Sequence, residues 1–346
     1  MSLPKNRSDL LFKLYVIFFS VLFSFSMGAT AKDWKTKRTD FGDPDLQGVW
    51  RTATITALER DYQTFGEKLV VTAEQAERIE KNYYFNVARE QDSKPSDPSA
   101  GAFTDGDSNA GYNAFWLDPG THLMQVRGEY RTSIVIDPVT GKVPYSQAGM
   151  LAFAEYGRNR NTHNPEVRSL GERCLVGFGS SGGPPMLPVV YNNHYQIVQA
   201  PGYVMIMAEM NHDARIVRLN DEHVPGGIYK WLGDSIGHWD GDTLVVETTQ
   251  LHPQQSFRFA IKHRIYVPPT AKITERFTRV ADDEIDYRFT VEDAKAYTQP
   301  WTGELAMRPA EGNIYEYACH EGNYSLPGIL AGARAEERET AESSAK

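Results

Sequence analysis

Strictly alternating apolar and polar residues, interrupted by turn signals, constrain the fold of this chain more than any other feature of its sequence. Within 272–309, Ile273 and Phe277 alternate with polar residues, and the following run repeats the pattern from Ile285 to Val291. Side chains on one face of a strand recur at every second position. The stretch therefore predicts an antiparallel meander of half-buried strands.

Turn residues predict further hairpins. Asp240-Gly241 separates the runs SIGHW and TLVVETT, and 137–141, with the sequence DPVTG, separates two more apolar runs. Proline presets one turn dihedral and glycine adopts the positive φ that closes a hairpin. Pro201-Gly202 and the region of Asn211 join three runs within 195–219, and DLQGVW near residue 48 supplies an opening strand. About ten strands with short connections predict a mainly β protein, a large antiparallel β-barrel or strongly bent sheet. The stretch DLQGVW resembles the Gly-x-Trp strand that opens lipocalin-like barrels, and this resemblance implies a barrel of lipocalin or calycin type.

One helix is predicted over 73–91, flanking the barrel. Thr72 and Gln75 have the spacing of a capping box, and the residues that follow carry apolar side chains on one helical face. The C-terminal residues 333–346 are charged and rich in alanine and serine, which predicts a flexible tail.

A long loop is predicted over 92–121. It is rich in Asp, Ser, Gly and Pro, yet it contains aromatic residues that include Tyr112 and Trp116. Loops of this length in a compact domain are usually binding loops, lids or linkers. The aromatic side chains favour a loop that covers a ligand site, with Tyr112 and Trp116 as ligand-binding residues.

The first residues have the layout of a secretory signal peptide. Cations at Lys5 and Lys13 precede an apolar run from Leu14 to Met27, which is shorter than the stretch of about 20 residues that crosses a bilayer. The triplet ending at Ala31 is a cleavage signal. We therefore expect residues 1–31 to be removed, and 32–332 to form a single domain that is periplasmic or secreted and has no membrane span.

The charge excludes two classes of partner. Cleavage after Ala31 removes three cations and one anion, which moves the net charge from -9 to -11. An acidic surface is repelled by the phosphates of nucleic acids and of anionic membranes. The expected partner is a small-molecule ligand or substrate, and the oligomeric state stays open.

Cys174 and Cys319 are the two cysteines of the chain. Disulfides persist in an exported protein, and an even number of cysteines favours pairing. A bridge between them would contribute about 4–5 kcal/mol in the chain-entropy model. The alternatives are two buried free thiols or a reactive thiol.

Acid–base chemistry is indicated by AEMNHDAR, which directly follows an apolar strand. It brings His212 together with Asp213 and Glu209, and Arg215 follows as a candidate ligand-binding residue. A carboxylate that holds one imidazole nitrogen leaves the other free for proton transfer near neutral pH. The alternative is a hairpin rim in which Asp213 pairs with Arg215 and His212 is merely exposed.

A second cluster is YEYACHEGNY near the C-terminus. His320 and Glu321 are further candidate catalytic residues, and Tyr317 is a candidate ligand-binding residue. The alternative is that 314–321 forms the last barrel strand, held by Cys319. His238 in GHWDGD is another candidate ligand-binding residue, although a structural role is favoured because Trp239 would point to the opposite face.

No metal or cofactor is expected. The nine histidines lack the His-x-His and His-x3-His spacings of local metal sites. Ser181 stands in a G-x-S-x-G sequence, but Pro184 and Pro185 follow where a nucleophile elbow needs a helix.

The segments PDLQGVW, HWDGDTLVVETT, ITERFTRV and YEYACHEGNY together resemble a family of exported bacterial β-rich proteins. The resemblance extends from about Asp43 to Gly332. It implies an envelope or periplasmic β protein, and it carries over no catalytic residue.

Two functions are predicted. The first is a periplasmic, cofactor-independent acid–base enzyme, a hydrolase, lyase or isomerase acting on a small cyclic, aromatic or sugar-like molecule. The second is a non-catalytic, lipocalin-like binding protein for an apolar small molecule, with a cavity lined by Met205 and Met207. An interaction module of an envelope complex is a third possibility.

Overall fold

Nine strands form a closed β-barrel in the computed structural model, which describes residues 34–92, 117–158, 163–260 and 263–345. The strands of the described residues are β1 Gly48–Arg51, β2 Val70–Val71, β3 Gln125–Val126, β4 Glu129–Arg131, β5 Val135–Asp137, β6 His194–Ala200, β7 Tyr203–Ala208, β8 Ala214–Leu219, β9 Asp234–Asp240, β10 Thr243–Thr249, β11 Phe257–Ala260, β12 His263–Tyr266, β13 Lys272–Ala281, β14 Glu284–Glu292 and β15 Trp301–Pro309. The signal peptide predicted at 1–31 lies outside these residues.

The ring runs in the order β1, β6, β7, β8, β9, β10, β13, β14, β15, and it closes where β1 pairs with β15. The predicted mainly β barrel is therefore confirmed, as are the hairpin at Asp240-Gly241 and the β13–β14–β15 meander. One step differs from the antiparallel prediction, because β8 and β9 pair in parallel, with Val217 opposite Ser235. Parallel neighbours need a long crossover connection, and here residues 220–233 provide it.

Side chains fill the barrel where the structure describes it. Tyr195, Phe277 and Tyr287 are fully buried, and the segment 180–187 adds Met186 and Leu187 to the same core. The backbone N–H of Met186 donates to the Tyr287 hydroxyl at 2.9 Å, which fixes this segment against β14. A ligand of the size that lipocalins enclose therefore finds no open lumen among these residues.

The helices are α1 Tyr62–Phe65, α2 Ala73–Lys81, α3 Tyr84–Asp92, α4 Gln147–Arg158 and α5 Ser325–Ser344 in the described part of the chain. The capping box of Thr72 and Gln75 is present at the start of α2. The helical segment predicted over 73–91 is present as two helices rather than one, because the chain breaks at Asn82 and Tyr83. The Asn86 side chain donates to the Glu80 carbonyl at 2.7 Å and replaces a hydrogen bond lost at this break.

Two other segments differ from their predicted conformation. The run after Gly141 forms no strand, and β5 pairs instead with the beginning of β15, at Thr302 and Gly303. The C-terminal residues 333–346 were expected to be irregular, yet α5 continues to Ser344. Alanine, glutamate and arginine are strong helix formers, which accounts for the extension of this helix.

The predicted disulfide is present and joins Cys174 to Cys319, which are separated by 145 positions in the chain. The segment 314–321, for which a last barrel strand was the alternative to a reaction site, is irregular and ends in a turn. The ring of nine strands is already closed by the β1–β15 pairing, without a contribution from this segment. We call 313–324 the C-terminal arm. Among the described helices, none has the length and apolarity needed to cross a bilayer.

Gly303 in β15 allows the closest packing of the barrel wall, and its replacement is a test of the core. A Cβ atom there would lie 2.2 Å from Cζ of the buried Phe289 ring. We expect Gly303→Ala to lower the free energy of unfolding by about 1–3 kcal/mol, the usual cost of overpacking. Urea denaturation measures it. Gly332→Ala is the control, since no atom lies within 4 Å of its Cβ position in α5; equal stability of both variants would contradict the packing.

Candidate functional site

The turn 209–213, which joins β7 to β8, brings together the polar residues of the candidate site. Asn211 and His212 both adopt positive φ, at 61° and 54°, a conformation uncommon for residues other than glycine. The backbone N–H of Ala208 donates to the Asp213 carbonyl at 2.9 Å, and that of Glu209 donates to the His194 carbonyl at 2.9 Å. The turn is thereby held against the beginning of β6.

Glu209 contacts an imidazole, but not the one predicted. Its Oε2 lies 3.1 Å from Nδ1 of His194, and its Oε1 accepts a hydrogen bond from Asn192 Nδ2 at 2.6 Å. Burial alone would raise the pKa of Glu209, but the contacts with His194 and Asn192 outweigh it and hold the pKa below its usual value. Glu209 is therefore an ionised carboxylate at ion-pair distance from His194, whose side chain stays 25% exposed and whose Nδ1 has no hydrogen-bond partner at this geometry.

His212 contacts the C-terminal arm. Its Nε2 accepts the backbone N–H of Tyr317 at 3.1 Å, so the imidazole is the acceptor on this nitrogen. Tyr317 also lies beside Tyr191, and burial together with this neighbour raises the pKa of Tyr191 to about 12. The arm thus adds a backbone group and a phenol ring to the residues at the beginning of β6 and the end of β7.

Asp213 lies on the other side of the turn. Its Oδ2 accepts the backbone N–H of Gly177 at 2.6 Å. Burial raises the pKa of Asp213 to about 6, against the opposing hydrogen bonds from Gly177 and Asn211. A Cβ atom on Gly182 would lie 3.0 Å from the same oxygen, so the glycines of 177–183 let the chain pack closely around this carboxyl. A carboxyl with such a pKa exchanges protons near neutral pH.

A cleft of about 500 Å³ opens beside this turn and extends along β8 to the crossover segment. His212 and Asp213 lie at one end, and Tyr203 and Arg218 belong to the other. Trp231 contributes an aromatic wall. We call this the β8 groove; its volume falls in the range of small-molecule sites.

Arg215 does not reach this groove with its charged group. The guanidinium is buried and forms a bidentate ion pair with Glu275, which also accepts a hydrogen bond from the Tyr287 hydroxyl at 2.8 Å. Alternation along β8 explains the placement, because Arg215 and Val217 point inward while Ala214 and Ile216 point outward. The alternative pairing of Arg215 with Asp213 is not formed.

The remaining predicted residues lie apart from the turn or outside the described chain. His320 and Glu321 are exposed in the turn of the arm and do not line the β8 groove. His238 is exposed on β9, and the neighbouring Trp239 packs on the core from the opposite face, as predicted. Tyr112 and Trp116 fall outside the described residues.

His194, Asn192 and Tyr191 are the site residues that sequence reasoning missed. They lie in YNNHY, where two asparagines precede the first residue of β6. Asn192 has φ of 53°, so the asparagine pair marks a tight turn at the barrel mouth. A histidine directly after such a turn could have indicated a site residue. Its carboxylate partner, Glu209, could not be identified in the same way, because it follows the next strand.

Metal ligands are not grouped in the described part of the chain: no cluster of three or more His, Cys, Asp and Glu side chains is placed to hold an ion. Comparison of the chain with family models, with curated proteins and with solved structures finds no match. The resemblance to exported bacterial proteins therefore stays a prediction, and the side chains around 209–213 are the basis for a functional proposal.

Proposed function

We propose that this protein is an acid–base enzyme, a hydrolase, lyase or isomerase, in which His194 and Glu209 act as an imidazole–carboxylate pair. The observation that carries the proposal is the contact of 3.1 Å between Glu209 Oε2 and His194 Nδ1. The ring is not aligned for a hydrogen bond in the structure, since His194 Nδ1 has no hydrogen-bond partner there, and a small rotation of the ring would let Glu209 accept from Nδ1. A carboxylate bonded in this way fixes the imidazole tautomer and leaves Nε2 to take or give a proton. This is the chemistry predicted for His212, now carried by a different histidine.

Two features support the pair as preorganised for catalysis. Asn192 occupies the second carboxylate oxygen at 2.6 Å, so Glu209 has little freedom to rotate away. Glu209 is nearly buried, whereas His194 is partly exposed, which leaves the imidazole accessible to a substrate. Catalytic groups held by hydrogen bonds of this kind lose less entropy when the substrate reaches them.

Asp213 and the tyrosines supply further groups around the same turn. Asp213 is a second proton donor on the same turn, and Tyr191 with Tyr317 offers phenol groups for contact with a cyclic substrate. His212 has a positioning role, because its Nε2 is engaged by the arm. The proposed substrate is the small cyclic, aromatic or sugar-like molecule expected from the sequence.

The proposed location is the periplasm or the medium, after cleavage of residues 1–31. The disulfide between Cys174 and Cys319 supports it, because such bonds persist in oxidising compartments. Mass spectrometry of the mature protein would test the expected N-terminus after Ala31.

The alternative of a lipocalin-like carrier has less support. Met205 and Met207, which would line its cavity, lie on the less buried face of β7, while Val204 and Ile206 point into the core. An apolar ligand would therefore have to bind outside the packed barrel.

His194→Gln and Glu209→Gln test the proposal. With chromogenic esters, glycosides and a polyuronate as substrates, we expect turnover of at least one by the wild type and a loss of about 10²- to 10⁴-fold in each variant. His238→Gln is the matched control, since it changes an exposed imidazole on β9 and should leave the rate unchanged. No turnover on the whole panel, or equal rates for wild type and Glu209→Gln, would contradict the proposal.

A further inference from the structure

We propose that the β8 groove binds a neutral carbohydrate, either one sugar ring or a short oligosaccharide laid along the strand. The inference deepens the proposed function by naming a ligand class for the groove that begins at His212 and Asp213, on the same turn as Glu209. It concerns binding, so it can be tested whether or not that pair is catalytic.

The shape of the groove suits an elongated ligand. Its floor follows β8 from Asp213 to Arg218, a length of roughly 16 Å at the rise of a β-strand. Ile216 is 49% exposed in the middle of this floor, and the crossover residues from Lys230 to Asp234 form the facing wall. The parallel step from β8 to β9 creates this wall, because the connection must return along the outside of the barrel.

Aromatic and aliphatic side chains supply surfaces for the C–H face of a sugar ring. Trp231 lines the wall, and its indole lies 3.9 Å from the His252 imidazole, measured between ring centroids, which supports it from one side. Tyr203 is 53% exposed at the far end of the groove. Rigid rings of this kind give a large contact area at low entropic cost.

Polar groups at both ends match the hydroxyl groups of a sugar. Asp213 at one end offers a carboxyl, and Arg218 at the other offers a guanidinium held by Asp234 at 3.0 Å and by Asp221 at 2.7 Å. Lys230 adds an ammonium group that is bound to Asp234 at 2.8 Å. Sugar hydroxyls both donate and accept, so they can bond to either type of group.

The charge of the groove favours a neutral ligand. Arg218 and Lys230 are matched by Asp234 and Asp221, so neither cation is left over to attract an anionic ligand. Asp234 is fully buried, and although burial opposes ionisation, its bonds to Arg218 and Lys230 hold its pKa far below the usual value. The ion pairs therefore fix the wall in place and leave stacking and hydroxyl contacts to provide the affinity.

Saturation-transfer NMR and calorimetry with four named probes test the inference on the full mature protein. The probes are cellobiose, maltose and N,N′-diacetylchitobiose as neutral sugars, and digalacturonate as an anionic one. We expect at least one neutral disaccharide to bind, with Trp231→Ala and Tyr203→Ala each weakening its Kd by roughly tenfold, as the loss of one stacking ring predicts. Tyr62→Ala removes an exposed ring on α1, outside the groove, and should leave the Kd unchanged.

Two variants guard against a folding effect, because neither ring belongs to the barrel core and Tyr203 is more exposed than Trp231. Failure of all three neutral sugars to bind, preferential binding of digalacturonate, or binding that neither variant weakens would overturn the inference. Binding that persists in Glu209→Gln while turnover is lost would separate the groove from the catalytic pair.

Discussion

Glu275→Gln is expected to lower the free energy of unfolding by about 3–5 kcal/mol, the usual cost of breaking a buried ion pair from one side. Arg215 and Glu275 are both buried in the barrel, so solvent does not stabilise the Arg215 charge once the carboxylate charge is lost. Glu275 also offsets Arg258, a second buried guanidinium, whose pKa burial lowers to about 10. Removing one carboxylate charge therefore leaves two cations in the core.

A double variant separates the charge effect from packing. Arg215→Met combined with Glu275→Leu should be less destabilised than Glu275→Gln alone, because neither partner is then left charged and unpaired. Arg276→Met is the control on the same strand, since its ion pair with Asp240 is exposed and should contribute less than about 1 kcal/mol. Urea unfolding at neutral pH measures all three. A double variant as unstable as the single one would show that the charges are not the cause.

Replacing Cys174 and Cys319 with serine is expected to lower the free energy of unfolding by about 2–5 kcal/mol. The bridge restricts the unfolded chain across 145 positions, and it also ties the arm to the segment that contains Cys174. Beyond the disulfide, Tyr317 N–H bonds to His212, and the Asn323 side chain donates to the Glu172 carbonyl at 2.8 Å. These bonds are too few to hold the arm alone.

Limited proteolysis and urea unfolding distinguish the two roles of the bridge. The serine variant should be cut within 313–324 at a protease concentration that leaves the oxidised wild type intact, and reduced wild type should behave like the variant. Unchanged stability together with an uncut arm would show that noncovalent contacts suffice. Reductant added to the serine variant is the control, because it should change nothing further.

Local patterns predicted the parts of the fold that local interactions decide. The β9–β10 hairpin and the meander of β13 to β15 follow from alternation and turn residues that lie within a few positions of each other. The capping box at Thr72 was likewise predictable from the sequence. The break at Asn82 was not, because the Asn86 side chain of the next helix replaces a hydrogen bond that the break removes.

The candidate site depended on contacts that no short window contains. Glu209 was expected to hold His212, which is closer in sequence, yet the pairing of β6 with β7 places His194 beside it. The arm was read as a possible strand because its tyrosines alternate, whereas Tyr317 N–H bonds to His212 from a distance of 105 positions. The two-residue turn at Pro201-Gly202 sets the register of the β6–β7 hairpin, and this register, rather than closeness in sequence, decides which imidazole Glu209 meets.

Closure of the ring by β1 and β15 links the beginning of the sheet to its end. β1 can pair with β6 early, but its second edge stays bare until residues near 309 have arrived. Contacts this far apart in sequence slow folding, and a bare edge is a template for association with other chains. Until β15 is in place the folding chain is an unclosed sheet, and association with other chains through the bare edge of β1 is then most favoured.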